Sequence, residues 1–240
     1  MFTNFCPAVY AKAVSFWKNR HGLTRHKTSI RQTTLLYGVD RHVYITLKEL
    51  DEASRLENSR AVTVPVGDLM SAITWDTGIL FNILLRGMGA KNVLEIGTST
   101  GFSTMWMAEA MNDGRVMTIE ADSNKRRRAQ TNFKRAGLEG RIEILPGNAQ
   151  DVLKEMSLNS EYNSFFDFVL IDADKENIPL YFDMVLPMLR SGGFIATDNM
   201  THPKKFAHLM DKFAGAVRQN PAVRTVTIPI GNGEELTVKL

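Results

Sequence analysis

The sequence is poor in cysteine and has no long apolar run. Cys6 is the single cysteine among 240 residues, so the chain cannot form an internal disulfide and a reducing compartment is expected. No stretch approaches the ~20 consecutive apolar residues of a membrane-spanning helix. These absences predict a cytoplasmic protein that does not insert into a membrane.

Acidic residues are absent from the first 39 positions, which contain six lysines and arginines. The rest of the chain holds 23 basic and 26 acidic residues, so the pI near 9.0 describes the N-terminal segment and gives little support for nucleic-acid binding by the remainder. Such a segment is typical of an organellar transit peptide, and the alternative is an N-terminal helix, over residues 9–20, that lies over the core. We divide the chain into two parts. Residues 1–60 form a basic extension, which would be a targeting segment or a dimer arm, and residues 61–240 form the main domain.

The glycine pattern of a dinucleotide-binding protein is incomplete after the first apolar strand, predicted at residues 92–97. That pattern needs glycine at its first, third and sixth positions, but Ser99 and Phe102 occupy the third and the sixth. A nicotinamide-dependent dehydrogenase is therefore disfavoured. A strand, a turn between Gly97 and Gly101, and a following helix are still typical of a nucleotide-binding α/β unit.

Strands and helices alternate along the rest of the chain. The predicted strands are 92–97, 115–120, 141–145, 166–171 and 193–197, and the predicted helices are 102–112, 123–136, 148–157, 176–190 and 203–218. This alternation predicts a parallel sheet with helices on both faces. Residues 223–230 and 236–240 flank a Gly-Asn-Gly turn and predict a terminal hairpin, which adds an antiparallel strand.

Polar residues follow the predicted strands at their carboxyl ends, where open α/β sheets bind their ligands. Glu120 ends the second strand, about 20 residues after the glycine turn, where a carboxylate can accept ribose hydroxyls. Asp172 and Lys175 follow the fourth strand, and Asp198 and Asn199 follow the fifth. Oxygen ligands suit a hard cation such as Mg²⁺, whereas zinc would require histidine or cysteine at these strand ends. Lys175 can point into the same cavity as Asp172 and serve as a general base.

Five motifs in the second part of the chain resemble those of a known family. They are V-L-E-I-G-T-S-T-G-F-S-T, T-I-E-A-D, F-D-F-V-L-I-D-A-D-K, G-G-F-I-A-T-D-N and I-P-I-G-N-G, in this order. Over about residues 65–240 the chain is similar to the cation-dependent S-adenosylmethionine (SAM) O-methyltransferases, which include the catechol and caffeoyl-CoA O-methyltransferases.

The resemblance implies an α/β fold of the class I methyltransferase type, which is Rossmann-like. Its seven-stranded sheet would be mostly parallel, with a C-terminal antiparallel hairpin and helices on both faces. The implied reaction is the transfer of a methyl group from SAM to a hydroxyl of a small, catechol-like acceptor, assisted by Mg²⁺. The resemblance also implies a homodimer.

The same resemblance implies roles for individual residues. SAM would be held at its methionine end by Glu95, Gly97, Ser99 and Ser103, at its ribose by Glu120, and at its adenine by Asn148 and Ala149. Mg²⁺ would be bound by Asp172, Asp198 and Asn199, with Asp172 also near the sulfonium of SAM. Lys175 would deprotonate the acceptor hydroxyl.

Two alternative functions stay open. The segment after Asn199 leads through Met200-Thr201-His202-Pro203 almost directly into a helix and resembles a shorter-looped bacterial branch, so the acceptor is not fixed. Some relatives methylate a hydroxylated uridine in tRNA, and the basic N-terminal segment could steer an RNA through phosphate contacts. The short loop also fits a cofactor-binding protein without turnover.

Overall fold

The computed structural model describes residues 38–59, 61–65 and 69–240. The predictions for residues 1–37, which include the helix at residues 9–20, the transit peptide and Cys6, lie outside the described residues. Within the described part no helix combines the length and the apolar character needed to cross a bilayer.

The described residues form seven strands and seven α-helices. The helices are α1 (Arg41–Asn58), α2 (Trp75–Met88), α3 (Phe102–Ala110), α4 (Ser123–Ala136), α5 (Ala149–Leu158), α6 (Ile178–Val185) and α7 (Ala207–Gln219). The strands are β1 (Asn92–Ile96), β2 (Arg115–Glu120), β3 (Ile142–Pro146), β4 (Phe166–Ile171), β5 (Leu189–Asp198), β6 (Val223–Ile228) and β7 (Glu234–Lys239). Short 3₁₀ turns at Lys175–Asn177 and Lys204–Phe206 precede α6 and α7.

The strands form one sheet in the order β3-β2-β1-β4-β5-β7-β6. Strands β1 to β5 pair in parallel, whereas β7 is antiparallel to both of its neighbours, β5 and β6. The predicted mostly parallel α/β sheet with a terminal antiparallel hairpin is therefore confirmed. In this order β1 and β4 are central neighbours, which brings the loops that follow them to the same edge of the sheet.

Helices cover both faces of the sheet because apolar side chains point alternately to the two sides of each strand. Val93 of β1 packs with the helices α1 to α4, whereas Leu94 and Ile96 pack with α5, α6 and α7. Phe168 and Val169 of β4 divide in the same way. Both faces of the central strands are thus buried, as a parallel sheet requires.

The polar sequence of residues 48–57 predicts a short helix, and helix α1 of the structure is longer than this. It begins at Arg41, after Asp40, whose carboxylate accepts a hydrogen bond from the backbone of His42. Residues 43–47 include β-branched side chains, which are weak helix formers, so the sequence supports no firm prediction there. They are helical because tertiary packing overrides this preference: Val43 and Leu47 are buried in the core with α3 and α4. Part of the predicted extension therefore contributes to the main core, and the domain boundary at residue 60 stays a prediction.

The helix predicted at residues 176–190 is wrong in its second half. Helix α6 ends at Val185 and β5 already begins at Leu189. Pro187 explains the difference, because proline has no backbone N–H with which to continue the helical hydrogen bonds. The helix predicted from residue 203 begins instead at Ala207, after the 3₁₀ turn. The other predicted strands and helices from residue 92 to residue 171 agree to within two residues.

Candidate functional site

A cavity of about 540 Å³ lies at the carboxyl ends of the parallel strands, within the usual size range of small-molecule sites. Eight of the residues predicted for the site line it: Gly97, Ser99, Glu120, Asn148, Ala149, Asp172, Lys175 and Asn199. The other three predicted residues, Glu95, Ser103 and Asp198, are buried next to it and are not part of its lining.

The turn after β1 depends on a glycine that no other residue can replace without strain. Gly97 has a φ of 106°, and a Cβ atom at this position would collide with the carbonyl oxygen of Asp172. The backbone of Asp172 donates a hydrogen bond of 3.0 Å to the carbonyl of Ile96. The missing side chain thus lets the loops after β1 and β4 approach each other and form one wall of the cavity.

Glu120 is fixed at the end of β2 by two backbone donors. Its carboxylate oxygens accept hydrogen bonds from the backbone N–H of Ser99 at 2.8 Å and from that of Asp122 at 2.9 Å. Ser99 is itself held with a positive φ of 49°, and its hydroxyl donates to the carbonyl of Met70. A carboxylate oxygen can accept more than one hydrogen bond, so Glu120 retains acceptor capacity for hydroxyl groups in the cavity.

Asn148 and Ala149 form the start of α5 on the other side of the cavity. The side-chain oxygen of Asn148 caps the helix by accepting a hydrogen bond of 2.9 Å from the backbone of Gln150. The side-chain oxygen can accept a second hydrogen bond and the amide NH₂ can donate, so both groups can serve a ligand.

Glu95 is completely buried and is held by three hydroxyl groups. It projects from β1 toward α3, where the hydroxyls of Ser103 and Thr104 donate to its carboxylate, and Thr118 of β2 donates from the neighbouring strand at 2.5 Å. Burial raises the pKa of Glu95 to about 7, although the three hydrogen bonds act in the opposite direction. The Glu95–Ser103 pair therefore supports the wall behind Gly97 in this structure.

Lys175 is buried between the ends of β4 and β5. Its ammonium lies 3.5 Å from the Asp172 carboxylate and donates a hydrogen bond of 3.3 Å to the backbone carbonyl of Asp198. The side chain lines the cavity although only 8% of it is exposed. Burial and the charge of Asp198 raise the pKa of Asp172, and the Lys175 ammonium opposes this rise. Lys175 thus lies close to two acidic residues, Asp172 and Asp198, at the cavity wall.

Asp198 and Asn199 form a bent unit at the end of β5. Asn199 has a φ of 67°, and both its backbone N–H, at 2.6 Å, and its side-chain amide donate to the Asp198 carboxylate. The positive φ turns the chain sharply, so that Asn199 reaches the cavity lining directly after a buried strand residue.

Glu234, which the sequence patterns did not predict, is a buried carboxylic acid beside Asp198. It is the first residue of β7 and lies directly opposite Asp198 in the antiparallel pairing of β7 with β5. One oxygen, Oε1, accepts a hydrogen bond of 3.2 Å from the hydroxyl of Thr77 on α2, whereas the buried Oε2 has no hydrogen-bond partner. Burial and the charge of Asp198 raise the pKa of Glu234 to about 11. The only signal in the sequence was a pair of glutamates directly after the Gly-Asn-Gly turn.

Other lining residues were also missed, for example Ser71, Lys125 and Tyr181. Ser71 lies in a segment without regular structure and Tyr181 lies within α6, so neither follows a strand end, which was the pattern used for the prediction. The Tyr181 hydroxyl donates a hydrogen bond of 2.7 Å to Asp174, which fixes the loop after β4. His202, the histidine placed closest to the site by its sequence position, is exposed and does not line the cavity.

The donor set around Asp198 fits a hard divalent cation. Asp172, Asp198 and Asn199 offer carboxylate and amide oxygens, which are the ligands that such a cation prefers, and Asp172 and Asn199 line the cavity. Among the described side chains no group of three or more histidine, cysteine, aspartate or glutamate residues is spaced as a metal cluster. A cation here would be held by a mixed set of carboxylate and amide oxygens, which leaves room for oxygens from a ligand.

Comparison with known families agrees with this geometry. Residues 48–240 match the sequence profile of a family described as O-methyltransferase. Three curated relatives show which kinds of methyltransferase the chain is similar to. Catechol O-methyltransferase of Niastella koreensis is 38% identical over 135 residues, which cover 56% of this chain and 60% of that protein. Flavonoid 3',5'-methyltransferase of Vitis vinifera is 32% identical over 62% of this chain and 64% of that protein. Caffeoyl-CoA O-methyltransferase of Petroselinum crispum is 27% identical over 91% of this chain and 96% of that protein.

The chain therefore spans about three fifths of the first two relatives and nearly the whole of the third. Solved structures agree over most of the chain. An O-methyltransferase from Bacillus cereus in complex with SAH has a TM-score of 0.69 and 27% identity, covering 88% of this chain and 96% of its own. An O-methyltransferase from Streptomyces achromogenes in complex with SAM has a TM-score of 0.68 and 25% identity, covering 89% of this chain and 96% of its own. The family profile matches well over half of the residues, and the chain belongs to the O-methyltransferase family.

Proposed function

We propose that the protein transfers a methyl group from SAM to a hydroxyl oxygen of a small, catechol-like acceptor, with the assistance of Mg²⁺. The observation that carries this proposal is one cavity in which Glu120 lies at one wall and the group of Lys175, Asp172 and Asn199 at another. Family membership and the SAH and SAM complexes of two structural neighbours support the choice of SAM as the methyl donor.

SAM would bind across the ends of β1, β2 and β3. Glu120 would accept the two ribose hydroxyls, and the NH₂ of Asn148, with Ala149, would border the adenine. Gly97 and Ser99 would face the methionine end, and Glu95 with Ser103 would support that end from behind the cavity wall. Asp172 would lie close to the sulfonium, where a negative charge favours the binding of a positively charged ligand.

The acceptor would bind beside Lys175. Asp172, Asp198 and Asn199 would hold Mg²⁺, which when bound lowers the pKa of an acceptor hydroxyl. In its neutral amine form, Lys175 would accept the hydroxyl proton and become the ammonium, which the Asp172 carboxylate and the Asp198 carbonyl would stabilise. The surrounding residues would align the acceptor oxygen with the methyl group, and such alignment supplies much of the rate acceleration in a transfer between two bound molecules.

Calorimetry with S-adenosylhomocysteine (SAH) tests the cofactor part of this proposal. We expect one SAH per chain, and no binding heat at high ligand concentration would contradict the proposal. Methyl transfer to catechol tests the second part: Asp198→Ala should abolish Mg²⁺-dependent turnover, whereas Asp211→Ala, at an exposed position on α7, should leave it unchanged. SAH binding without any transfer to a broad set of catechols would instead favour a cofactor-binding protein without turnover.

Two further properties are proposed on the family resemblance. We propose a homodimer, which light scattering on the purified full chain tests directly, and a cytoplasmic location, which cell fractionation tests. An RNA acceptor is the less favoured alternative, because several of the basic side chains of α4 already contact the protein: Arg126 donates to two backbone carbonyls, and Arg135 pairs with Glu49. Salt-sensitive binding of tRNA in a filter assay would favour that alternative.

A further inference from the structure

Residues 69–74, which lead into α2, form part of the cavity wall without any regular secondary structure. Ser71 lines the cavity with a positive φ of 44°, and the preceding Met70 is completely buried. A buried backbone outside a helix or a sheet needs other partners for its N–H and carbonyl groups. The groups that bind Met70 therefore determine where this part of the wall lies.

Both backbone groups of Met70 are bound by side chains from other elements. Its N–H donates a hydrogen bond of 2.8 Å to Oε2 of Glu57, which lies in the last turn of α1. Its carbonyl accepts a hydrogen bond from the hydroxyl of Ser99, in the turn after β1. Met70 is thus held between the end of α1 and the turn that faces the methyl donor in the proposed function.

Ser99 connects this contact to the residue proposed to bind the ribose. Its backbone N–H donates a hydrogen bond of 2.8 Å to the carboxylate of Glu120. Ser99 has a φ of 49°, a conformation that residues other than glycine keep only where their surroundings hold them. Three hydrogen bonds therefore lead from Glu57 through Met70 and Ser99 to Glu120.

Glu57 itself lies outside the cavity lining, and only 7% of its side chain is exposed. Its other oxygen, Oε1, lies 4.0 Å from the guanidinium of Arg128 on α4, a side chain that is 26% exposed. A hydrogen bond of 2.8 Å to a carboxylate is stronger than a partly exposed ion pair at that distance. The contact with Met70 is therefore the one that gives Glu57 its main effect.

We infer that Glu57 is a positioning residue for the methyl-donor site, which by holding Met70 keeps Ser71 and Ser99 in the arrangement that binds SAM. This inference rests on the proposed SAM-dependent function. Glu57 acts through the reach of its carboxylate and makes no contact with SAM itself. Its alteration should weaken SAM binding and leave the proton transfer at Lys175 unchanged.

Two substitutions separate the reach of this side chain from its charge. Glu57→Asp keeps the charge but is shorter by one methylene, which withdraws the acceptor from Met70. Glu57→Gln keeps the length, and its amide oxygen can accept the same hydrogen bond. In calorimetry with SAH on the full chain, we expect the Kd to rise about tenfold in Glu57→Asp and less than about threefold in Glu57→Gln.

Glu52→Asp is the matched control, because it makes the same chemical change on the same helix. Glu52 is half-buried and forms no hydrogen bond or ion pair with the residues that the structure describes. Its substitution should leave the Kd for SAH unchanged, and a rise equal to that in Glu57→Asp would show a general effect on α1 and overturn the inference.

Steady-state kinetics with catechol distinguishes positioning from a purely structural role. Glu57→Asp should raise the KM for SAM about tenfold while kcat at saturating SAM and the KM for catechol stay unchanged, since only the binding of the methyl donor is altered. If Glu57 served only the stability of the fold, Glu57→Asp would lower the melting temperature, and the folded variant would keep the SAH affinity of the unmodified protein. That second result would overturn the inference.

The path through Met70 is tested by combining Glu57→Asp with Ser99→Ala, which removes the other side-chain partner of Met70. Because both substitutions act on the same residue, together they should weaken SAH binding less than the product of their separate effects. A full product would show that the two side chains act independently and would contradict the inferred linkage.

The remaining outcomes separate this inference from the proposed function. If the unmodified chain and Glu57→Asp bind SAH equally well, the inference is wrong and the proposed function stands. Weaker binding by Glu57→Gln than by Glu57→Asp would show that the charge beside Arg128 matters more than the reach to Met70, which also overturns the inference. If the unmodified chain binds no SAH, the inference and the proposed function are both wrong.

Discussion

At the residue scale, the polar residues of the cavity are those that the chain places at strand ends. Asp172, Lys175 and Asn199 line the cavity and were predicted from their positions directly after apolar runs. They lie together because the carboxyl ends of parallel strands meet at one edge of the sheet. Glu234 was missed because its position beside Asp198 depends on the insertion of β7 between β5 and β6, and local sequence patterns do not specify which strand a terminal hairpin joins.

Lys175 carries the proposed proton transfer, so its removal should affect catalysis more than binding. We expect Lys175→Ala to lower kcat for methyl transfer to catechol about 10²-fold or more, the usual contribution of a positioned general base. SAH affinity should change less than threefold, as measured by calorimetry. Lys204→Ala, at an exposed position outside the cavity lining, is the control and should retain full turnover. Full turnover in Lys175→Ala would exclude its assignment as the base.

Glu95 should make the stability of the protein depend on pH. Burial raises its folded-state pKa to about 7 from an ordinary value of 4.5, so the folded chain holds this proton more tightly than the unfolded chain does. The resulting stabilisation is fully present below pH 4.5 and is lost as the pH rises through 7. Between pH 5 and pH 8 the unmodified protein should therefore lose about 2–3 kcal/mol relative to Glu95→Gln, which cannot titrate.

Urea unfolding of both proteins at pH 5 and pH 8 measures this difference directly. Burial of Glu95 is the largest contribution to the change in their stability difference, and the charge coupling of Glu95 with Asp172 and Glu120 adds a smaller one. A stability difference that stays constant between the two pH values would show that the Glu95 carboxyl is not perturbed by its burial.

At the element scale, the ends of helices and strands follow identifiable local rules. Thr74 and Asp122 accept hydrogen bonds from the first turns of α2 and α4, and Gly89 and Gly137 end these helices in the left-handed conformation. The errors in element boundaries occurred where tertiary packing overrides local preference, as in α1, or where Pro187 ends α6 early.

The turn after β1 should tolerate no side chain at its first glycine. Gly97→Ala would combine a positive φ with a collision against the carbonyl of Asp172, and we expect a loss of at least about 2 kcal/mol in the free energy of unfolding together with weaker SAH binding.

Gly87→Ala is the matched control for this change. Gly87 lies on the exposed side of α2 with open space around the position of a Cβ, so alanine should stabilise the protein by about 0.5–1 kcal/mol. Urea unfolding measures both changes, and equal stabilities for the Gly97→Ala variant and the unmodified protein would show that the two loops are free to separate.

At the scale of the whole molecule, the mostly parallel sheet with its terminal hairpin and the family were accessible from the sequence, whereas the order of the strands was not. The alternation of apolar runs gave the parallel strands, the Gly-Asn-Gly turn gave the hairpin, and the five ordered motifs gave the O-methyltransferase family, which the comparisons confirm. The acceptor was not accessible, because the relatives named above include methyltransferases for catechol, flavonoid and caffeoyl-CoA. Their sequences share the sheet-edge motifs of the fold, whereas acceptor choice depends on the loops around the cavity.

The central claim is that one cavity holds the methyl donor and a divalent cation side by side. A crystal structure of the full chain grown with SAH and Mg²⁺ tests it most directly. We predict SAH in the cavity with its ribose hydroxyls on Glu120, and a cation bound by Asp172, Asp198 and Asn199 on the side of its sulfur atom. SAH bound elsewhere, or a cation bound away from these three residues while SAH fills the cavity, would contradict the account.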